Sequence, residues 1–216
     1  MCDIYMYMKR YRNILFLMVM LVTMLGMPSI FVGCSNDNDT VLNQQQKSIE
    51  NYLRSSHNPR LIDEAEVSES MDDNPPFYTR WDMNIYRYIA TYYNEGRDAL
   101  PKISNGTTFD ITYTAYIFTG NAPTISTMFA TNDIDIYNEL VAQGLTPSDY
   151  WDLEPKRVTL GDGDLFESLE TALKGCYEGD EVEIYLTYPE AYGKDYIGKV
   201  PSKSPQVWFI KIVDVL

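Results

Sequence analysis

The sequence predicts an α+β fold with an antiparallel sheet, and three patterns carry that prediction. Apolar and polar residues alternate over 109–118, 182–186 and 207–216, the period-2 signature of strands with one buried face. A helical stretch, 165–174, lies between the first and second of these strands. Turn residues punctuate the connections, among them Gly96, Pro101, Asn105-Gly106 and Glu178-Gly179-Asp180. A short helix set between such strands is the pattern of an α+β domain.

Residues 1–33 read as an export signal and not as part of the fold. Lys9, Arg10 and Arg12 form a positive stretch, and 14–27 is apolar without a charge. That run is shorter than the ~20 residues a membrane-spanning helix needs. Pro28-Ser29 ends it, and Ile30-Phe31-Val32-Gly33-Cys34 follows. This segment resembles the lipobox of bacterial lipoproteins, with Phe31 where that pattern prefers Leu. An ordinary signal peptide and an uncleaved anchor are the alternatives. The resemblance implies that Cys34 becomes the lipidated first residue of the mature chain. Acyl chains on Cys34 would then be its membrane contact, each buried methylene adding ~0.8 kcal/mol. Ser35-Asn36-Asp37-Asn38-Asp39 resembles a surface-export signal and reads equally well as a solvated tether. The expected location is the cell envelope, lipid-anchored at the outer membrane, on its periplasmic or its outer side.

The mature chain then divides at about residue 80. Within 34–80, a polar tether over 35–41 leads into a helix from Leu42, with Leu42, Ile49, Tyr52 and Leu53 on one face and His57-Asn58-Pro59 as its stop. An acidic, Pro-containing linker follows over 59–80. The main domain, 81–216, opens with an aromatic and β-branched strand over 84–93. In the strand over 109–118, Phe109, Ile111, Tyr113, Ala115 and Ile117 share a face. A long insert over 131–157 contains a short helix over 136–145, ended by Gly144, and a loop with Tyr150 and Trp151. Asp164 and Glu167 are spaced as a capping box for the next helix. Leu165, Phe166, Leu169, Ala172 and Leu173 form its apolar face, and Gly175 stops it. Val182, Ile184 and Leu186 mark a half-buried strand, and Trp208, Ile210 and Ile212 the inner face of the last one.

Composition excludes several kinds of chemistry. The formal net charge is -14, and residues 1–33 hold three basic residues and one acidic one, so the mature chain stands at -16. Such a surface repels phosphate backbones, which excludes nucleic acid as a partner. Cys176 is the one cysteine left beside Cys34, so no intrachain disulfide is expected. It reads as a packed, unreactive thiol. His57 is the sole histidine and falls outside the main domain, which argues against His-based triads and zinc sites. Gly161-Asp162-Gly163-Asp164 lacks the spacing and closing Glu of a calcium loop. No phosphate-cradling glycine motif occurs. Neither metal nor cofactor is expected.

The C-terminal third carries a more specific spelling. Leu160-Gly161, the helix, and 173–180 (Leu-Lys-Gly-Cys-Tyr-Glu-Gly-Asp) are followed by 182–193, which ends in Pro189-Glu190-Ala191-Tyr192-Gly193. Val200-Pro201 and the strand through Trp208 come next. In this order and spacing the series resembles the FKBP-type peptidyl-prolyl cis-trans isomerases. Upstream, Thr112-Tyr113-Thr114 is similar to the family's H-Y-T, and Phe129-Ala130-Thr131 to its F-D-S. The resemblance covers roughly 84–216, interrupted by the insert. It implies an FKBP-like antiparallel β-sheet wrapped on a short α-helix, here with an N-terminal helical extension.

The family resemblance also implies a site and a partner. Tyr192 would be the hydroxyl donor, with Tyr113 beside it. Phe129, Leu165, Phe166, Val200 and Trp208 would wall a pocket, with Leu169 as its floor. The partner would be a Pro-containing polypeptide segment. Three features depart from the family pattern: Ala130 stands where active members have Asp, Leu169 where many have Trp, and the 131–157 insert is unusually long. Two readings therefore stand. One is a membrane-anchored isomerase that assists the folding of exported proteins. The other is a catalytically weak FKBP-like module that binds peptide or protein.

Overall fold

The computed structural model describes residues 37–62, 79–81, 84–144 and 152–216. Helix α1 (Asp37–Ser55) comes first, then strands β1 (Thr79–Trp81) and β2 (Ile85–Ile89). Next are β3 (Thr108–Ile117), β4 (Met128–Thr131) and helix α2 (Ile134–Ala142). Strand β5 (Lys156–Thr159), helix α3 (Glu167–Leu173), β6 (Glu181–Leu186) and β7 (Gln206–Val215) complete the order. Cys34 and the export signal lie outside the described residues, as do most of the acidic linker, Tyr150 and Trp151. No helix among the described residues is long and apolar enough to cross a membrane.

All strand pairings are antiparallel, in the order β1-β2-β6-β7-β3-β4, with β5 sharing an edge of β3. Strand β3 is the longest-range organiser. Its first half pairs β5 and its second half β4 on one edge, while β7 runs along the other. The insert therefore leaves the sheet between β4 and β5. Asn132, 3% exposed, fills the break. Its Oδ1 accepts from Tyr113 N–H at 2.6 Å, and its Nδ2 donates to the carbonyls of Ile111 and Glu154. A buried strand edge must find partners, and this one side chain supplies them.

The inner face of the sheet packs on α3. Leu169, Ala172 and Leu173 are fully buried against Phe109, Ile111, Ile184, Ile210 and Ile212. The alternation seen in β3, β6 and β7 delivers these residues to one face. Arg87, between the inward Ile85 and Ile89, donates to the carbonyls of Ala172 and Lys174 and so satisfies the C-terminal end of α3. Cys176 is buried in the same core, and burial pushes its thiol up to about 11, in keeping with an inert thiol.

The outer face differs from the expectation of a half-buried sheet. Helix α1 covers part of it, placing Ile49, Tyr52 and Leu53 on Tyr86, Tyr88, Phe118, Tyr185 and Val207. The C-terminal half of β6 is consequently buried on both sides, with Ile184 and Tyr185 both fully inaccessible. Tyrosines at the polar phase of the alternation conceal this second core, because their rings bury while their hydroxyls stay bonded; Tyr86 Oη donates to Glu50 at 2.7 Å. Helix α1 begins at Asp37, inside the stretch expected to be tether, with Asp39 in the first turn, where the helix dipole favours negative charge. Strand β2 ends at Ile89, short of Tyr93. The chain turns over 90–94 and leaves Tyr92 and Tyr93 exposed.

That turn is anchored by an ion pair that the sequence does not advertise. Arg97 donates through Nε and Nη2 to both oxygens of Asp180, at 2.6 and 2.7 Å, with both side chains buried. Asp180 also accepts from Thr91 Oγ1 and Tyr177 N–H. The guanidinium lies over the Tyr177 and Tyr92 rings, 4.4 and 5.0 Å from their centroids. A fully bonded pair of this kind tolerates burial, which a lone charge does not.

His57 belongs to the fold, contrary to the expectation that it lies outside the domain. Its ring meets Tyr52 and Tyr88 edge-on, each centroid 5.8 Å away. Nδ1 faces the Pro59 carbonyl at 2.9 Å and Nε2 faces the Glu183 carboxylate at 3.2 Å. Both ring nitrogens thus meet acceptors, and only the imidazolium donates from both. Burial pulls its pKa down, but the bonds to Glu183 and Pro59 and the charge of Glu183 together push it above the ordinary 6.5. The stability this pair adds is therefore full below pH 6.5 and is lost as pH rises through the raised folded-state value. Denaturant titrations at pH 5.5 and 8.5 check this. His57→Ala should cost about 1–3 kcal/mol at the lower pH and markedly less at the higher.

Candidate active site

A cavity of about 410 Å³ opens on the inner face beyond the α3 core. Tyr113, Leu165, Phe166, Leu169, Tyr192 and Trp208 line it, with Lys156, Gly163 and Asp164 at its rim. Six of the eight residues expected at the site therefore meet around one hollow. The strand register explains two of them. Ala115 pairs with Trp208, and Tyr113 pairs with Ile210, so the Tyr113 and Trp208 rings are diagonal neighbours on the inner face. Their centroids are 5.3 Å apart.

Phe129 closes one side without being part of the cavity wall. The β3–β4 register shifts at Ala115/Tyr116, so that Ala115 pairs with Ala130 and Tyr116 with Met128. Phe129 is the extra residue of this bulge, a device that re-aims a side chain. Its ring stands edge-on to Trp208 at 5.7 Å and to Tyr192 at 6.0 Å. Phe166 makes the matching contacts, 5.7 Å to Trp208 and 5.9 Å to Tyr192. Trp208 is thus the shared base of a four-ring enclosure. Val200 is the exception among the expected wall residues. It is 1% exposed and absent from the lining, held inside its loop by a backbone bridge to Ile197.

Leu165 and Phe166 reach the cavity from outside the helix, contrary to the expected helical face. Helix α3 starts at Glu167, with Phe166 as an extended N-cap. The Asp164–Glu167 capping box does not form. Asp164 instead accepts from Thr159 N–H at 2.9 Å, and Glu170 accepts from the N–H groups of Gly161 and Gly163. Two carboxylates thus tie the 159–164 turn, and the extended residues after it point into the hollow. Leu169, one turn into α3, is the fully buried floor.

Tyr192 sits on the 188–203 loop, which is clamped from outside the sheet. Gln45 of α1 accepts from Tyr188 N–H at 2.8 Å and donates to the Lys203 carbonyl at 2.7 Å, so one side chain holds both ends. Lys203 adopts a left-handed backbone with φ 57° and donates its N–H to Gly193. Glu190 ties the same loop to α3 by accepting from Ser168 Oγ at 2.6 Å. The Gln45 clamp carries no local motif.

Among the described residues neither the Tyr192 nor the Tyr113 hydroxyl has a hydrogen-bond partner within the chain. Burial raises the pKa of both; each is raised further by charge, Tyr192 by Tyr113 and Tyr113 by Asp152. Both remain protonated donors at neutral pH. Of the insert, α2 packs near Tyr116 on the opposite side of the sheet, where Glu139 and Asp133 add to the burial-raised pKa of that tyrosine. Lys156 is the insert residue on the cavity wall. No group of His, Cys, Asp and Glu suited to a metal ion occurs among the described residues.

Comparison with known proteins agrees with the fold. Residues 139–213 match the family model described as FKBP-type peptidyl-prolyl cis-trans isomerase. Among solved structures, a peptidyl-prolyl cis-trans isomerase from Pseudomonas syringae pv. tomato is similar at 12% identity with a TM-score of 0.50, over 82% of this chain and 95% of that one. The N-terminal domain of FKBP42 from Arabidopsis thaliana aligns at 15% identity with a TM-score of 0.43, over 64% of this chain and 91% of that one. No curated protein matches the sequence. The chain has an FKBP-like α+β fold, and its C-terminal part matches the isomerase family model over helix α3, the Tyr192 loop and the strand carrying Trp208.

The Gln45 clamp generates a direct test. Gln45→Ala removes two hydrogen bonds and should lower stability by about 1–3 kcal/mol. Amide exchange over 188–203 should accelerate more than exchange in β3 or β7; equal acceleration everywhere would contradict a local clamp.

Proposed function

We propose that this chain is an extracytoplasmic, lipid-anchored prolyl cis-trans isomerase that acts on exported polypeptides. The observation that carries the reading is the Tyr192 hydroxyl, without a hydrogen-bond partner among the described residues, beside an apolar, four-ring enclosure. A peptide bond rotates over a barrier of ~18–20 kcal/mol because twisting destroys its resonance. The twisted amide is less polarised than the planar one, so an apolar cavity favours it. The proline ring would lie on Trp208 between Phe166 and Phe129, above Leu169. Tyr192 would donate to a substrate carbonyl and hold the chain while the bond turns. No nucleophile, metal or proton transfer is called for, and the rate gain comes from binding the twisted state better than the planar one.

Ala130 favours a second reading, in which the domain binds Pro-containing segments with little turnover. It occupies the β4 position where the family resemblance leads one to expect Asp, and it pairs with Ala115 in the sheet. No carboxylate reaches the cavity from that position.

A protease-coupled assay on a short X-Pro peptide separates the two. In the isomerase reading, Tyr192→Phe should lower kcat/KM roughly ten-fold, the scale of one hydrogen bond, and Phe166→Ala at least as much. Peptide binding without acceleration above the uncatalysed rate would establish the binding module instead. The anchor has its own test. In a bacterial host the chain should take up radiolabelled palmitate and sediment with membranes, and Cys34→Ser should abolish both. Unlabelled, soluble protein from the unaltered chain would remove the lipoprotein part of the proposal.

A further inference from the structure

The cavity wall carries one residue that its position would not lead one to expect. Strand β5 pairs with β3 so that Val158 faces Phe109 and Lys156 faces Ile111. Phe109, Ile111 and Val158 are fully buried on the inner face. Alternation therefore places Lys156 on that same apolar face, at the end where the cavity opens. Most positions there bury hydrocarbon, yet this one carries an ammonium group.

Among the described residues the charge is uncommitted. Lys156 makes no hydrogen bond or ion pair among the described residues, whereas its neighbour Arg157, on the outer face, is held bidentate by Asp110 at 2.9 Å. The other charged residue on the wall is Asp164, which accepts from Thr159 N–H. Asp152 lies close enough to act on the Tyr113 hydroxyl and moderates the local field.

We infer that Lys156 makes this cavity select prolyl bonds flanked by an acidic residue, an aspartate or glutamate beside the proline. The inference deepens the isomerase reading and rests on it. With the proline on Trp208, a neighbouring side chain lies at the rim, where an exposed ammonium and carboxylate attract each other. Such a pair shifts relative affinity by roughly two- to five-fold. The effect weakens with salt, since exposed charges are screened over ~10 Å at 0.1 M.

Exchange NMR on two peptide series tests it, one varying the residue before proline and one the residue after, each as Glu, Gln and Lys. Peptide binding is measured in parallel by calorimetry. In at least one series the unaltered protein should favour Glu over Gln by two- to five-fold in kcat/KM and in affinity. Lys156→Met should bring that ratio to one while leaving turnover of the Gln peptide measurable, and Lys156→Glu should shift preference towards Lys. Equal treatment of Glu and Gln in both series, or a preference that survives Lys156→Met, overturns the inference and leaves the isomerase reading standing. Failure to accelerate or bind any of the six peptides overturns both.

Discussion

Trp208 is the point on which the core and the cavity both depend. It lies on β7, the strand paired on one edge with β3 and on the other with β6, so its backbone position is fixed from two sides. Its indole N–H is buried and donates to Gln206 Oε1, two residues earlier on the same face, at 2.9 Å. A buried donor of this kind must be satisfied, and satisfying it sets the plane of the ring. Tyr113, Phe129 and Phe166 then pack against that plane in tilted or edge-on contacts, the arrangement aromatic quadrupoles favour. Below Trp208 the sheet is continuous hydrocarbon on α3. Above it Tyr113, Phe166 and Tyr192 border the hollow.

The second helix layer matters because it reaches the site through the sheet's periphery. An FKBP-like sheet wrapped on α3 would leave its outer face wet, and an antiparallel sheet can accept that. Here α1 covers part of that face, and through Gln45 it also holds the loop bearing Tyr192. The hydroxyl is consequently positioned by an element outside the sheet-and-α3 pair. Residues 139–213, matched by the family model, contain Tyr192 but not the helix that steadies it.

Legibility in the sequence followed the range of the signal. Phe109, Ile111, Ile184, Ile210 and Ile212 were readable because alternation is a local rule and burial on α3 obeys it. Tyr192, Leu169 and Trp208 were readable only through the family spelling, since periodicity alone cannot tell a pocket residue from a core one. Features that depend on distant partners were not readable. Asn132 satisfies a strand edge only because the insert breaks it there, and Arg97 is buried only because Asp180 waits 83 residues away. Asp164 and Glu167 had the spacing of a capping box, but Asp164 found Thr159 N–H first, and competition between neighbouring backbone donors has no sequence signature. His57 looked peripheral because the chain around it is irregular, and only the folded β6 brings Glu183 to it.

The chemistry open to the cavity is narrow, and that narrowness is informative. Among the described residues its polar groups are two tyrosine hydroxyls held in the neutral form by burial, a lysine at the rim and a carboxylate already accepting a backbone bond. A phenol whose pKa has been pushed up is a poor base and a poor nucleophile, yet it keeps its capacity to donate one hydrogen bond. Acyl, phosphoryl or glycosyl transfer would need a group that gains or loses a proton near neutrality, and neither phenol is tuned that way. Rotation about an amide asks for less: a dry surface shaped to a proline ring and a donor for a carbonyl. In the proposed reading, Trp208 with its three neighbouring rings would provide the first and Tyr192 the second. Leu169, a branched aliphatic side chain, lines the hollow where a larger ring is absent, so in the proposed reading the fit to proline would rest mainly on the rings around Trp208.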